Sequence, residues 1–210
     1  MANFYKSLES VFSENETRTA LKLTDRNDWS YFDLSNRVNE IAAVLLNRDV
    51  RVGDRVSVQV EKSPEALALY LAILKIGAVH VPLNTAYTDM EVDYFIKDSE
   101  PVLFVGKSTR SDCDSLTLSD SGLEGSLIEQ LNSSSEAIDP VETATLADEA
   151  LAAILYTSGT TGLSKGAMLT HTNIESNAVS LCECWGWHRD DVLLHALPIF
   201  HVHGLFISSH

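Results

Sequence analysis

Basic residues are scarce in this chain: 15 lysines and arginines stand against 30 aspartates and glutamates, a formal net charge of −15. Such a surface repels phosphate backbones and anionic lipid, so nucleic-acid and membrane-surface binding are disfavoured. Long apolar runs are missing as well, none reaching the roughly 20 residues of a bilayer span. The opening MANFYKSLESVF lacks the apolar centre of a signal peptide. The expected compartment is therefore the cytoplasm. Cysteine is thin: Cys113, Cys182 and Cys184 form an odd set without a disulfide framework. Cys182 and Cys184 are two apart in a predicted helix and do not share a face, so they read as reduced bystander thiols. What remains is a chain of 210 residues, 45% hydrophobic and 21% charged. That is the profile of a soluble globular protein with room for one large or two small domains.

The order of elements follows from caps and periodicity. Ser30 to Asp33 has capping-box spacing, and Leu34, Val38, Ile41, Ala42, Leu45 and Leu46 form one apolar stripe behind it. Gly53-Asp54 turns the chain, and Val56, Val58 and Val60 alternate as a strand. Ser63-Pro64-Glu65 starts a helix that Gly77 ends. Ala78 to Leu83 reads as a strand, Thr88 to Glu91 as a second capping box, and Val102 to Val105 as a short buried strand. This rhythm predicts an α/β fold, layered and mostly parallel sheets flanked by helices. Residues 107–148 read as an acidic, serine-rich, solvated connection with one short helix near Leu123 to Leu131. Order returns with a strand at Leu151. Ala167 to Leu169 reads as a further short strand, Thr172 to Glu175 as a cap for a helix reaching about Trp185, and Val192 to Leu197 as another strand.

The most informative stretch is ILYTSGTTGLSKGAMLTH, from Ile154 to His171. An apolar strand breaks abruptly into Thr157, Ser158, Gly159, Thr160, Thr161, Gly162, Leu163, Ser164, Lys165 and Gly166. Glycines let backbone approach a ligand, hydroxyls and amides offer donors, and Lys165 adds a full positive charge. That inventory suits a polyphosphate. A solvent-exposed turn would explain a shorter string, but not one of this length and density. The usual P-loop is excluded, because Ser164 precedes Lys165 and Gly166 follows it. The dinucleotide pattern G-x-G-x-x-G is excluded too, since two residues separate Gly159 from Gly162.

YTSGTTGLSKG resembles the phosphate-binding signature of the adenylate-forming superfamily, which contains acyl-CoA synthetases, peptide-synthetase adenylation domains and luciferases. Many members carry proline where this chain has Ser164, a departure that alters loop stiffness more than chemistry. Further segments match in the family's order: Ser30-Tyr31-Phe32-Asp33-Leu34, then LKIGAVHVPLN from Leu74 to Asn84, then LPIFHVHG from Leu197 to Gly204. Within the superfamily, PLNTAYTDMEVDYFIKDSEP and LHALPIFHVHGLF look most like malonyl-CoA synthetases. Other short-chain, medium-chain, aryl and amino-acid ligases share much of this wording.

The resemblance implies a reaction in two halves, with ATP and a small carboxylic acid giving an acyl-adenylate, and coenzyme A then displacing AMP. It assigns Thr157 to Lys165 to the nucleotide phosphates, with Thr160, Thr161 and Lys165 as the catalytic donors and one threonine beside Mg2+. It assigns Phe200, His201 and His203 to the acid pocket. An H-x-H pair can also chelate a metal, with His195 as a third ligand. No acidic or cysteine ligand lies at matching spacing, so pocket residues are the preferred reading and no protein-held metal site is assigned. His80, His171 and His188 are expected to be structural, and Asp54 and Glu61 to serve turns. The adenine-binding tyrosine motif, the ribose-binding aspartate and the catalytic lysine of a C-terminal domain have no counterpart in this sequence. The chain thus reads as an incomplete N-terminal AMP-binding domain, expected to be inactive alone. The alternative is a truncated, non-catalytic nucleotide-binding remnant. Oligomeric state is not legible.

Overall fold

The computed structural model describes residues 3–133, 139–157 and 164–207. Asn3 caps α1 (Phe4–Glu14), its carboxamide oxygen accepting from the Tyr5 amide. A small antiparallel ribbon follows, β1 (Thr19–Leu21) with β2 (Trp29–Ser30). Ser30 then opens α2 (Tyr31–Asn47) through the expected capping box. Its hydroxyl accepts from the Asp33 amide at 3.1 Å, and the Asp33 carboxylate accepts from the Ser30 amide at 2.8 Å. The stripe of α2 buries Leu34, Val38, Ile41, Ala42 and Leu45.

Next come β3 (Arg55–Gln59), α3 (Pro64–Lys75), β4 (Val79–Pro82), α4 (Asp89–Ser99) and β5 (Leu103–Gly106). Pro64 sits in the first turn of α3, and Gly77, at φ 74°, reverses the chain after it. The three strands are parallel, with Val56 beside His80 and Leu103, and Ser57 beside Val81 and Phe104. Because α3 and α4 cover opposite faces, the strands are buried on both sides, so that even Ser57, the polar residue within the alternating valines of β3, is inaccessible. One face carries a large core shared with α1, α2 and α3. The other carries a smaller core of Val81, Leu83, Val92, Phe95, Ile96 and Phe104 under α4.

The 107–148 connection is less solvated than its composition suggests. It contains β6 (Ser115–Thr117), which extends the sheet beside β5, and α5 (Ser126–Ser133). Leu116, Leu118 and Leu127 are fully buried there. The spacing of Leu116 and Leu118 in SLTLS is the strand alternation that the surrounding serines and aspartates mask.

The sheet closes with β7 (Leu151–Thr157) and β8 (Lys165–Thr170), giving the order β6-β5-β3-β4-β7-β8. β7 runs parallel to β4, and β8 is antiparallel to β7. Helix α6 (His171–Trp185) begins two residues earlier than its sequence cap suggests. Thr170, not Thr172, accepts from the Asn173 amide, and Asn173 returns the bond to the Thr170 amide. Val192 to Leu197 does not form the expected strand. Val192 is 81% and Leu194 90% exposed, and no described strand lies beside them to complete a ladder. The final apolar run instead makes a wide helical turn of the π type, His203–Ile207. No described helix is long and apolar enough to cross a membrane.

Candidate active site

The phosphate-loop signature is carried by the β7–β8 hairpin. Its two ends, Thr157 and Lys165, are direct cross-strand partners, and both are exposed. Ser158, Gly159, Thr160, Thr161, Gly162 and Leu163 lie outside the described residues. The hairpin emerges where parallel β3, β4 and β7 end, the edge at which α/β sheets take their ligands. By strand alternation, Lys165 and Thr157 lie on the side of Leu155 and Ala153, the large-core side.

The neck of the hairpin is gripped from the opposite face by α4. Tyr94 donates its hydroxyl hydrogen to the Ser164 carbonyl at 2.7 Å, and Tyr156 donates to the Asp98 carboxylate at 2.6 Å. Tyr94 and Asp98 are four residues apart, hence on one face of α4. Between them Phe95 packs on Tyr156 with ring centroids 4.5 Å apart. Burial, then the Asp98 contact, raises the Tyr156 phenol above its ordinary pKa, so it stays a donor. Gly166 faces Tyr156 across the ladder, and a Cβ there would meet Ile154 Cγ2 at 2.7 Å. Glycine at 166 therefore permits close strand packing; the sequence pattern alone placed it merely at the end of a loop.

The second part of the site is a small cleft on the large-core side. Val58, Val60, Ala66, Tyr70, His80 and Pro82 meet Ile199, Phe200 and Leu205 there. The 195–205 segment is folded against this edge by Lys62, whose ammonium donates to the carbonyls of His195 at 2.7 Å and Leu197 at 3.1 Å. His195 Nε2 lies 2.8 Å from the Gly204 carbonyl oxygen. Gly204 approaches so closely that a Cβ would sit 2.0 Å from the Pro198 carbonyl oxygen. That explains the glycine of HVHG by sterics alone.

Of the pocket residues expected from sequence, Phe200 lines the cleft. His201 and His203 are exposed and stack on each other, ring centroids 5.3 Å apart and Nδ1 atoms 3.4 Å apart. No group of three or more metal-ligating His, Cys, Asp or Glu side chains occurs among the described residues. The expected Mg2+ contact rests on Thr160 and Thr161, outside that set, so the described donors supply no magnesium ligand set. His80 and His171 are buried, and desolvation pushes their imidazoles down to about 3 and about 4. His171 Nδ1 accepts from the Phe4 amide at 3.2 Å, a structural task. His80, packed on Tyr70 at 5.0 Å between ring centroids, has no hydrogen-bond partner at Nδ1. Its place in the cleft wall, like the roles of Tyr94 and Lys62, was not legible from spacing. Asp54 serves its turn, its carboxylate accepting from the Arg51 amide at 2.8 Å.

Comparison with known proteins gives a consistent result. The chain matches the model of AMP-binding enzymes over residues 8–208. It is 31% identical over 227 residues to the malonate–CoA ligase of Arabidopsis thaliana, covering 96% of this chain and 37% of that protein. It is 34% identical over 193 residues to surfactin synthase subunit 1 of Bacillus subtilis, covering 88% of this chain and 5% of that one. Crystal structures of MatB from Rhodopseudomonas palustris, apo and ATP-bound, superpose at a TM-score of 0.89 with 43% identity, covering 100% of this chain and 43% of theirs. The chain therefore spans less than half the length of these relatives. The signature hairpin at the sheet edge, the cleft beside it and the match over nearly every residue agree: the chain belongs to the AMP-binding family of adenylate-forming enzymes, and its fold is that of their N-terminal domain.

Proposed function

We propose that this chain carries the phosphate-binding and acid-binding parts of an AMP-forming acyl-CoA synthetase whose acid is malonate. The observation that carries the reading is the hairpin that starts the TSGTTGLSKG loop at Thr157 and ends it at Lys165, beside a cleft walled by Phe200. The identity to a malonate–CoA ligase and to MatB supports malonate over other acids. In the proposed first half-reaction a carboxylate oxygen attacks the α-phosphorus of ATP, and pyrophosphate leaves with the bonding electrons. In the second, the sulfur of coenzyme A attacks the acyl carbon and AMP leaves.

The chain's own part is electrostatic. Negative charge gathers on the departing pyrophosphate, and a cation held at the start of β8 stabilises it without reorganising. Lys165 supplies that cation, while Thr157, Ser158, Thr160 and Thr161 supply hydroxyl donors and Gly159 and Gly162 let amides approach. Phe200, His201 and His203 shape the acid's surroundings. Mg2+ accompanies ATP in this proposal, and no step is routed through it. We place the reaction in the cytoplasm, within fatty-acid metabolism. We further propose that residues 1–210 alone do not turn over, a reading supported by their covering only 43% of the MatB chain.

A second reading, an amino-acid adenylation domain, is favoured by the surfactin synthase match. ATP–pyrophosphate exchange by the longest protein containing this chain separates the two. Malonate should outpace acetate, coumarate and a panel of amino acids. Faster exchange with an amino acid supports the second reading, and thioester formation by residues 1–210 alone ends the claim of inactivity.

A further inference from the structure

We propose that Tyr94 is a positioning residue for Lys165, acting through the peptide that joins it to Ser164. This rests on the phosphate-loop reading above. The ladder of the β7–β8 hairpin ends at the Thr157–Lys165 pair, so Ser164 lies one residue outside it. Serine leaves its own φ free, whereas proline would fix φ through its ring. The backbone entering Lys165 thus needs an external constraint, and the structure provides one. The Tyr94 hydroxyl donates to the Ser164 carbonyl oxygen at 2.7 Å, at the peptide unit whose nitrogen belongs to Lys165.

Tyr94 is itself well fixed. Its ring meets Phe95 at 5.4 Å and Tyr156 at 6.4 Å between centroids, both edge-to-face, at the margin of the smaller core. One turn further along α4, Asp98 holds Tyr156 on the partner strand at 2.6 Å. The helix therefore holds both strands of the neck, one through each residue. Held by its stem alone, Lys165 would keep its charge but lose its aim, and misplacing a charged donor costs rate more than it costs binding. Tyr94 does this without touching substrate.

The test uses the longest protein containing this chain, in four forms: wild type, Tyr94→Phe, Ser164→Pro and the double variant. Phenylalanine keeps the ring packing and removes only the hydroxyl. Proline at 164 lies outside the ladder and removes no sheet hydrogen bond. Tyr94→Phe should slow ATP–pyrophosphate exchange roughly 3- to 10-fold, the effect of one hydrogen bond, in kcat with the KM of the acid unchanged. It should also speed backbone amide exchange in peptides covering residues 157–166, with the melting midpoint nearly unmoved. Adding Ser164→Pro should restore both rate and protection. Equal rates and equal protection in wild type and Tyr94→Phe would overturn the proposal, as would a slowing that proline fails to rescue. If the wild type itself exchanges no pyrophosphate with any acid, the functional reading fails, and the amide-exchange comparison still decides whether Tyr94 holds the loop stem.

Discussion

The parallel strands and the hairpin beside them belong to one sheet but obey different rules. All four residues of β4 are buried, as are Val56, Ser57 and Val58 in β3. In β8, Lys165, Ala167 and Met168 are exposed, and the strand has one neighbour. The central strands are specified by what they bury; the hairpin is specified by its ladder and by a few side-chain grips from α4. Residues that meet ligands have to sit in the second kind of place, because a fully packed surface cannot open to substrate.

The contrast is broken most severely from within the core. Leu69 of α3 is completely buried, so Leu69→Ala should cost about 2–5 kcal/mol through lost contacts and the cavity left behind. Denaturant unfolding measures it, and a loss below about 1 kcal/mol would mean the large core is not tightly packed. The hairpin should answer to function instead. Lys165→Ala, at an exposed position, should leave the melting midpoint close to wild type while slowing pyrophosphate exchange roughly 10- to 100-fold, the worth of one charge-assisted contact. An unchanged rate would leave the lysine without the proposed role.

Acid sharpens the same comparison. His80 and His171 stay neutral in the fold, with pKa values lowered by burial, while the unfolded chain binds protons near 6.5. The unfolded state therefore carries more protons as pH falls, and stability declines below about pH 6.5 and on toward the folded values. Each histidine contributes at most about 1.4 kcal/mol per pH unit in that window. His80→Phe should flatten the fall in melting temperature between pH 6.5 and 5, and an unchanged slope would mean that this imidazole is not kept neutral by the fold. The smallest effect belongs to Met168, 65% exposed on β8, where Met168→Ser should change stability by no more than about 0.5 kcal/mol. A larger loss would show that this face is covered in solution.

The fold was legible wherever local and global signals agreed. Caps at Ser30, Ser63 and Thr88, the valines of β3 and the glycine after α3 all announced their elements, and the structure has each of them. Sequence failed where a pattern needed a partner that spacing does not reveal. Val192 to Leu197 is apolar enough for a strand, but apolarity does not create a neighbouring ladder. Leu116 and Leu118 form a strand because β5 offers an edge, against a composition that reads as solvated. Helix α1 was not read from the sequence, although Phe4, Leu8 and Phe12 recur every four residues on its packed side; the intervening Lys6, Ser7, Glu9 and Ser10 mask that stripe.

The site divides in the same way. Thr157, Lys165 and Phe200 were named by motif, and the structure sets the first two opposite each other and the third in the cleft wall. Tyr94, Asp98 and Lys62 were not named, and His80 was read only as structural. Their partners lie 58 residues away or more wherever a hydrogen bond defines them, and no periodicity records such a distance.

Helix α1 carries a consequence for how the chain is made. The carboxamide of Asn3 donates to the carbonyls of Leu74 and Ala144, and the Phe4 amide donates to His171, 167 positions later. Ser7 bonds Glu175, and Arg18 bonds Asp190. A ribosome delivers the first helix long before these partners exist, and joining about 20 residues per second at most it withholds them for several seconds. During that interval Phe12 can pack on Tyr31 of α2, 5.3 Å between ring centroids, while the bonds to Ala144, His171 and Glu175 wait for a closure that spans most of the chain's length. Helix α1 thus completes its contacts only once α6 has been made, so a stalled or slowed nascent chain would present a half-docked amphipathic helix to whatever waits at the tunnel exit.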